Sequence, residues 1–265
     1  MQGLSIYLII HYSNYHYAAF GNLTNQLTGK VNVQYSRIDN YFHLKRTNDS
    51  LVKANAVLYN KLKMDFELPD TVSREKIDSI RIDSLLQYKK YTYLPARVVS
   101  NSISTQNNYI VLSRGKAQQL HEGMGIVDIN NAVVGIITEV TDDFAVVMSL
   151  LHKDSHLSGK LLKGGETGTL NWDGKEPNII TLSNIPKSAK VAKGDTIITS
   201  GFSTTFPKGM IIGRVTVIYS ETSTSNFRIN FSTAANFYNL QYVYAIENTQ
   251  QEPINKILDK IKQQH

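Results

Sequence analysis

The residues best suited to chemistry stand together at positions 152–156, where His152, Asp154, Ser155 and His156 are near neighbours. Serine, histidine and aspartate form hydrolytic triads, but triad members need a set spatial order and an oxyanion hole, and no Gly-x-Ser-x-Gly motif accompanies them. The two histidines are four residues apart, yet no HExxH pattern and no nearby third ligand completes a metal site. We therefore predict a loop here, with no catalytic or metal-binding residues.

A glycine-rich segment at residues 163–168 resembles a phosphate loop only in composition. A P-loop ends in Gly-Lys-Ser/Thr and opens a helix, whereas residues 169–172 are typical of a strand, so a hairpin is expected. No Gly-x-Gly-x-x-Gly fingerprint follows a strand either, and no cofactor is predicted. The chain has no cysteine, which excludes disulfides, thiolate nucleophiles and zinc-cysteine sites.

The charge of the chain gives little support for nucleic-acid binding. The net charge is +6 and the pI is about 9.2, but lysines and arginines are scattered among acids rather than clustered. The many tyrosines fall mostly in alternating, strand-like runs, where they pack a sheet more often than they stack on bases. We expect no nucleic-acid partner.

The first 21 residues suggest a membrane edge. The apolar run from Leu4 to Ile10 is much shorter than the roughly 20 residues that a helix needs to span a bilayer. Tyr12, Tyr15 and Tyr17 follow it, and such aromatic rings concentrate at membrane interfaces. The run is either an interfacial anchor or the outer end of a transmembrane helix, and we interpret residues 1–21 as the remnant of an anchor helix.

Residues 22–94 carry charged and apolar residues at helical spacing, which predicts a coiled-coil dimerisation region. A leucine recurs every seven residues, so the heptad can be assigned directly. Position a is occupied by Tyr41, Asn48, Asn55 and Leu62, and position d by Leu44, Leu51 and Leu58. Asparagine at position a typically fixes register and strand number. A single amphipathic helix docked on its own domain is the alternative.

After Pro69 the apolar spacing continues through Val72, Ile77 and Ile80 to Leu85 or Leu86, which predicts a second helix. Pro95 is expected to end the helical region, because proline cannot continue the hydrogen-bond ladder.

Short, alternating β-branched runs occupy residues 95–247 and predict many short antiparallel strands. Turn pairs at Asn130-Asn131, Asp142-Asp143 and Asp173-Gly174 separate strand-like runs. Residues 122–137 resemble residues 193–215 in a pattern of glycine turn, strand, loop and glycine-containing strand. We predict two barrel-like subdomains, approximately residues 95–172 intertwined with 173–247.

The fold class is therefore α + β, with a long coiled-coil helix before two small antiparallel β-barrel-like subdomains. Residues 248–265 form a tail with an apolar stripe at Ile254, Ile257, Leu258 and Ile261, either an amphipathic helix or a disordered segment.

One string in the second β unit is specific enough to suggest a family. It comprises Gly194, Asp195, Thr199, Ser200, Gly201, Phe206, Pro207, Gly209 and Gly213. This pattern resembles the signature of the MreC family of rod shape-determining proteins, and weaker matches at residues 96–100, 115–116, 121–124 and 242–244 extend the resemblance over residues 95–247. The glycines are interpreted as architectural rather than ligand-binding.

The resemblance implies a noncatalytic scaffold of the bacterial elongasome that helps form and maintain cell shape. It implies single-pass attachment to the inner membrane, with the main body in the periplasm. It also implies a homodimer, or a higher assembly, that positions MreD, RodA and a class B penicillin-binding transpeptidase. A periplasmic adaptor of an efflux or secretion assembly is the alternative, although adaptors usually place β segments on both sides of a helical hairpin.

Overall fold

The computed structural model describes residues 44–61, 66–67, 79–82, 85–220 and 222–262. Residues 44–59 are helical and are called α1, and Gln251–Lys262 form α2. Single 3₁₀ turns occur at Lys116–Gln118 and Phe237–Asn239. The chain divides into two compact units, one that ends at Leu51 and another that begins at Val52. Among the described residues, no helix is both long enough and apolar enough to cross a bilayer.

The strands run in chain order as follows: β1 Phe66–Glu67, β2 Ser79–Ile82, β3 Leu85–Lys89, β4 Tyr91–Asn101, β5 Asn107–Leu112, β6 Gly125–Asp128, β7 Val133–Val140, β8 Ala145–His152, β9 Ser158–Leu161, β10 Thr167–Asn171, β11 Ile179–Pro186, β12 Thr196–Thr199, β13 Ile211–Tyr219, β14 Asn226–Thr233 and β15 Tyr242–Asn248.

Two closed, antiparallel, six-stranded barrels form the body of the protein. The first has the strand order β15-β4-β5-β8-β7-β6, and the second has the order β10-β11-β14-β13-β12-β9. Side chains alternate between a buried interior and a more exposed surface along most strands, as the period of two requires. The predicted pair of antiparallel barrels is confirmed, and the three turn pairs each join neighbouring strands of one barrel.

The second barrel is inserted into the first between β8 and β15. The chain enters it through residues 153–157 and returns through residues 234–241, after which β15 closes the first barrel against β4 and β6. The crossing therefore lies well before the predicted boundary at 172. Asp173-Gly174 lies, as predicted, in the connection between β10 and β11, which are neighbours in the second barrel.

The internal repeat seen in the sequence corresponds to matching hairpins. Ile126 pairs with Gly135 across β6 and β7, and Ile197 pairs with Gly213 across β12 and β13. Aligning these hairpins superimposes the strand orders of both barrels, with β15 matching β9. The matching strand is last in the first barrel and first in the second, so the two barrels are related by circular permutation.

In the described part of residues 22–94, the structure does not contain the predicted long helical region. Of that region, the described residues hold one helix, α1, which ends at residue 59, and three strands follow it before Tyr91. The leucine repeat from Leu44 to Leu58 is helical, whereas Ile80, Leu85 and Leu86, the described part of the apolar spacing after Pro69, lie in strands.

The predicted second helix is wrong over the part that the structure describes. Residues 79–82 and 85–89 are the strands β2 and β3, which pair with each other, and β1 pairs with β3. Ile80 and Ile82 also fit a period of two, and pairing with neighbouring strands decides between the two patterns. Pro95 likewise lies inside β4 rather than ending a helix. The alternating aromatic and β-branched run before it favours a strand.

Candidate functional site

A cluster of tyrosines fixes the last part of α1, residues 52–59, to the first barrel. The Tyr244 hydroxyl on β15 donates a hydrogen bond to the backbone carbonyl of Val52 in the helix, with an O···O distance of 3.1 Å. The Tyr59 ring centroid lies 5.5 Å from that of Tyr93 and 5.4 Å from that of Tyr244. Burial raises the pKa of Tyr244, so this hydroxyl remains a donor at neutral pH. The helix is therefore docked by one defined face.

The end of the helix is tied to β4 by an amide. Asn60 donates from Nδ2 to the carbonyl oxygen of Tyr93 at 3.1 Å, and its Oδ1 accepts from the Tyr93 backbone N–H at 2.7 Å. A side-chain amide with both groups paired to one residue imitates strand pairing and fixes orientation as well as position. Val52 and Ala56 are buried beside it and complete the docked face.

The leucines at the predicted d positions are solvent-exposed. Leu44, Leu51 and Leu58 are 55–63% exposed, which is unusual for a line of three leucines on one helix. Leu58 stands about 100° to 160° around the helix axis from the docked residues Val52, Ala56 and Tyr59. Docking of residues 52–59 therefore leaves Leu58 uncovered. We call Leu44, Leu51 and Leu58 the leucine seam.

The predicted a positions are only partly described. Asn48 and Asn55 are exposed, and Asn55 lies beside the Tyr244 hydroxyl. Tyr41 and Leu62 lie outside the described residues. The seven-residue repeat thus stays a prediction for assembly, while the exposure of its leucines is a property of the protomer.

Replacing Tyr244 with phenylalanine tests the anchor of α1. We expect the free energy of unfolding to fall by about 0.5–1.5 kcal/mol, because one intramolecular hydrogen bond is lost while the ring is kept. Urea denaturation would measure the change. Tyr238→Phe is the matched control, since Tyr238 is exposed and should be neutral. Equal stability of both variants would contradict the anchor.

The signature residues build the loop between β12 and β13 and its supports. The Thr199 hydroxyl donates to the carbonyl oxygen of Pro207 and accepts from the backbone N–H of Met210 at 2.9 Å. Gly201 and Gly209 have φ of +81° and +95°, a region that disfavours side chains, so glycine suits both bends. Ser200 accepts from the backbone N–H of Phe202. The loop is thus held in one conformation by its own residues.

This loop joins the second barrel to the first. Phe206 is 2% exposed and lies against Gly125 at the start of β6, where a Cβ atom would come within 2.5 Å of the Phe206 ring. Asn248 at the end of β15 donates to the carbonyl oxygen of Thr204 at 2.8 Å. Ala132, just before β7, and Ile211, at the start of β13, form an isolated β-bridge. We call residues 199–211 with Gly125 and Asn248 the barrel joint.

The remaining signature residues stabilise the second barrel itself. Asp195 is buried and accepts from Lys163 at 2.6 Å and from the backbone N–H of Ala192 at 2.8 Å. The Lys163 hydrogen bond is the main reason that the pKa of Asp195 lies below its ordinary value. At Gly213 a Cβ atom would lie 2.2 Å from the Ser232 carbonyl oxygen, so adjacent backbones approach closely there. These contacts give the signature an architectural part in the barrel.

The structure places the members of the histidine cluster in different surroundings. His152 ends β8 and is buried, whereas His156 is exposed and its Nδ1 lies 2.9 Å from Oδ1 of Asn171. The Ser155 backbone N–H donates to the His152 carbonyl, and its side chain takes part in none of the described hydrogen bonds with a histidine. Among the described residues, no group of three or more histidine, cysteine, aspartate or glutamate side chains is placed to hold a metal. Residues 162–166 connect the paired strands β9 and β10, so the glycine-rich segment lies in the expected hairpin.

The sequence alone did not reveal the contacts that join the last part of α1 to the first barrel, or the first barrel to the second. Gly125, Asn248 and Tyr244 lie far along the chain from Phe206, Thr204 and Val52, and no local pattern links such pairs. A glycine at the buried start of a strand was the one available signal, because it often marks a close approach by another group.

The chain is similar to known proteins of one family. A family model described as the barrel core of the rod shape-determining protein MreC matches residues 98–247. A cell shape-determining protein MreC from Listeria monocytogenes is 21% identical over 230 residues, 86% of this chain and 74% of that protein. Its Bacillus subtilis counterpart is 25% identical over 194 residues, covering 69% and 66% respectively.

Solved structures show the same fold. A Listeria monocytogenes MreC structure has a TM-score of 0.57 at 20% identity, and the match covers 86% of this chain and 97% of that one. A Pseudomonas aeruginosa MreC structure has a TM-score of 0.54 at 18% identity, covering 58% of this chain and 98% of that one.

Proposed function

The chain belongs to the MreC family of rod shape-determining proteins, and we propose that it is a noncatalytic scaffold that organises peptidoglycan-synthesis proteins to maintain cell shape. The observation that carries this proposal is the leucine seam, which stays exposed on a helix that is already docked by another face. Such a seam serves assembly rather than the folding of one chain.

Dimerisation through the leucine seam would pair two copies of the scaffold. Two parallel copies of α1 would bury Leu44, Leu51 and Leu58 of each chain against one another. The tyrosine anchor would hold the end of α1, residues 52–59, on the first barrel of each copy. Assembly at the seam would bring two copies of the barrel pair together.

The barrels supply rigid surfaces for partners. Both are closed, which removes unpaired strand edges, and the barrel joint holds them together through a buried aromatic ring and a hydrogen bond. Following the family resemblance, we propose MreD, RodA and a class B penicillin-binding transpeptidase as partners. We also propose single-pass attachment to the inner membrane through the N-terminal segment, with the body in the periplasm.

The unlike surroundings of His152, Ser155 and His156 favour a noncatalytic role, since the first two are buried and the third is exposed. The chemistry would then belong to the partners. The family match over residues 98–247 favours the scaffold over an efflux or secretion adaptor.

Complementation of cells depleted of this chain tests the proposal. We expect Leu51→Asp with Leu58→Asp to leave cells rounded, and His156→Ala with Ser155→Ala to restore rods as well as the native chain does. Immunoblots would confirm equal amounts of each variant. Rods with the aspartate variant would contradict the seam, whereas loss of shape with a folded Ser155 and His156 variant would indicate catalysis instead.

A further inference from the structure

Residues 153–157 form the crossover from the first barrel to the second, and they are held by backbone contacts to the end of β8. The backbone N–H of Ser155 donates to the His152 carbonyl at 2.9 Å, and that of Lys153 donates to the Gln106 carbonyl at 3.0 Å. Gly174, in the β10–β11 turn of the second barrel, lies beside the Gln106 side chain. The crossover is thus a second place, besides the barrel joint, where the two barrels meet.

His152 lies at the start of this crossover, and its imidazole ring is buried. Its side chain is only 4% exposed, and its Nδ1 accepts the backbone N–H of Asp154 at 3.0 Å. An accepting Nδ1 requires the neutral tautomer that carries its proton on Nε2. Nε2 is buried and has no hydrogen-bond partner among the described residues. The site therefore accommodates neutral imidazole only.

The groups around His152 do not compensate a positive charge. Tyr109 from β5 packs on the imidazole with ring centroids 4.9 Å apart. The Asp154 carboxylate is 3.9 Å from Nδ1 but is 67% exposed, so water screens it. Lys153 opposes protonation. Burial outweighs the attraction of Asp154 and lowers the pKa of His152 below its ordinary value of 6.5.

We propose that His152 is a pH-sensitive contact between the first barrel and the 153–157 crossover. Its protonation releases the crossover and loosens the connection between the barrels. A proton on Nδ1 turns the acceptor of the Asp154 N–H into a donor, so two donors face each other. The buried imidazolium also needs a partner at Nε2, which it gains by moving into water. Displacement of the ring breaks the hydrogen bond from the Asp154 N–H, so that the crossover next to β8 keeps only the backbone bond from Ser155 to the His152 carbonyl.

The direction of the pH effect follows from the lowered pKa. Between the folded-state pKa and 6.5 the unfolded chain binds more protons than the folded one, so stability rises with pH. The full stability contributed by neutral His152 is present above about pH 6.5, and it is lost as pH falls from there through the folded-state pKa. In the proposed periplasmic location, the crossover would respond to acidification outside the cell.

An NMR titration of the full chain from pH 7.5 to 4.5 tests this inference. We expect His152 to titrate below 6.5, with the amide signals of Asp154 and Ser155 shifting or broadening over the same range. In His152→Gln these two amides should lose that pH dependence. His156→Gln is the matched control, because it removes an exposed histidine from the same crossover and should behave like the native chain.

Several outcomes would overturn the proposal. His152 could titrate at or above 6.5, or its ring could titrate while the amides of Asp154 and Ser155 stay unchanged. An equal pH dependence in His152→Gln would also contradict it. If His152→Gln fails to fold, the titration of His152 and the response of the Asp154 and Ser155 amides in the native chain still test the proposal.

Discussion

Replacing Phe206 with alanine should lower the free energy of unfolding by about 3–5 kcal/mol, the range for deleting a buried aromatic side chain. Phe206 is 2% exposed and fills the contact between the signature loop and Gly125. The loss should be larger than that of any other single side chain in the loop, because this ring joins the two barrels. Urea denaturation of the full chain would measure it.

Phe202→Ala is the matched control for Phe206→Ala. Both side chains are phenylalanine and belong to the same loop, but Phe202 is 82% exposed. We expect its replacement to change the free energy of unfolding by no more than about 0.5 kcal/mol. Similar losses for the two variants would contradict a joint built on Phe206.

A double-mutant cycle with Gly125 isolates the contact itself. A methyl group at Gly125 would come within 2.5 Å of the Phe206 ring, so Gly125→Ala alone should be destabilising. In the Phe206→Ala background the same change should cost less, giving a coupling of about 0.5–3 kcal/mol. Additive effects would show that the two residues act separately.

Replacing Leu51 and Leu58 together with aspartate should weaken the proposed dimer at least ~10,000-fold, because each buried leucine would contribute about 1.5–3 kcal/mol and such a dimer would hold four of them. Both leucines are exposed in the protomer, so its fold should stay intact. Sedimentation equilibrium would give the dissociation constant, and circular dichroism would check the fold.

Ser50→Asp with Val57→Asp is the matched control for the seam. These residues are also seven apart and exposed, and they add the same two charges to another line of the helix. We expect this variant to dimerise as the native chain does, within about threefold. Equal loss of the dimer in both variants would show a general charge effect rather than a specific seam.

The strands and turns of the barrels were predictable because their signals are local. Alternation places the strands, and pairs such as Asn130-Asn131 and Asp142-Asp143 mark hairpins between strands that neighbour each other in the barrel. The repeated hairpin pattern even indicates two related units. The strands and turns depend on residues that are close neighbours in the chain, whereas the repeat compares two such local patterns.

The errors arose where distant contacts decide the structure. Residues 79–89 fit a helical and a strand period equally well, and pairing of β2 and β1 with β3 selects the strand. Phe206 stands out in the sequence as part of a motif, but its place against Gly125 depends on how two barrels meet. Tyr244 similarly belongs to a recognisable closing strand. Its hydroxyl, however, donates a hydrogen bond to the backbone carbonyl of Val52, which lies 192 positions away.

Disulfide cross-linking of single-cysteine variants tests the seam dimer most directly. The native chain has no cysteine, so Leu58→Cys or Val57→Cys introduces the only thiol. In a parallel pair, residues at d face each other closely enough for a disulfide, whereas Val57 points elsewhere. Mild oxidation of the full chain in intact cells should convert Leu58→Cys to a species of twice 29.8 kDa and leave Val57→Cys monomeric. A monomeric Leu58→Cys, or equal cross-linking of both variants, would contradict the scaffold built on this seam.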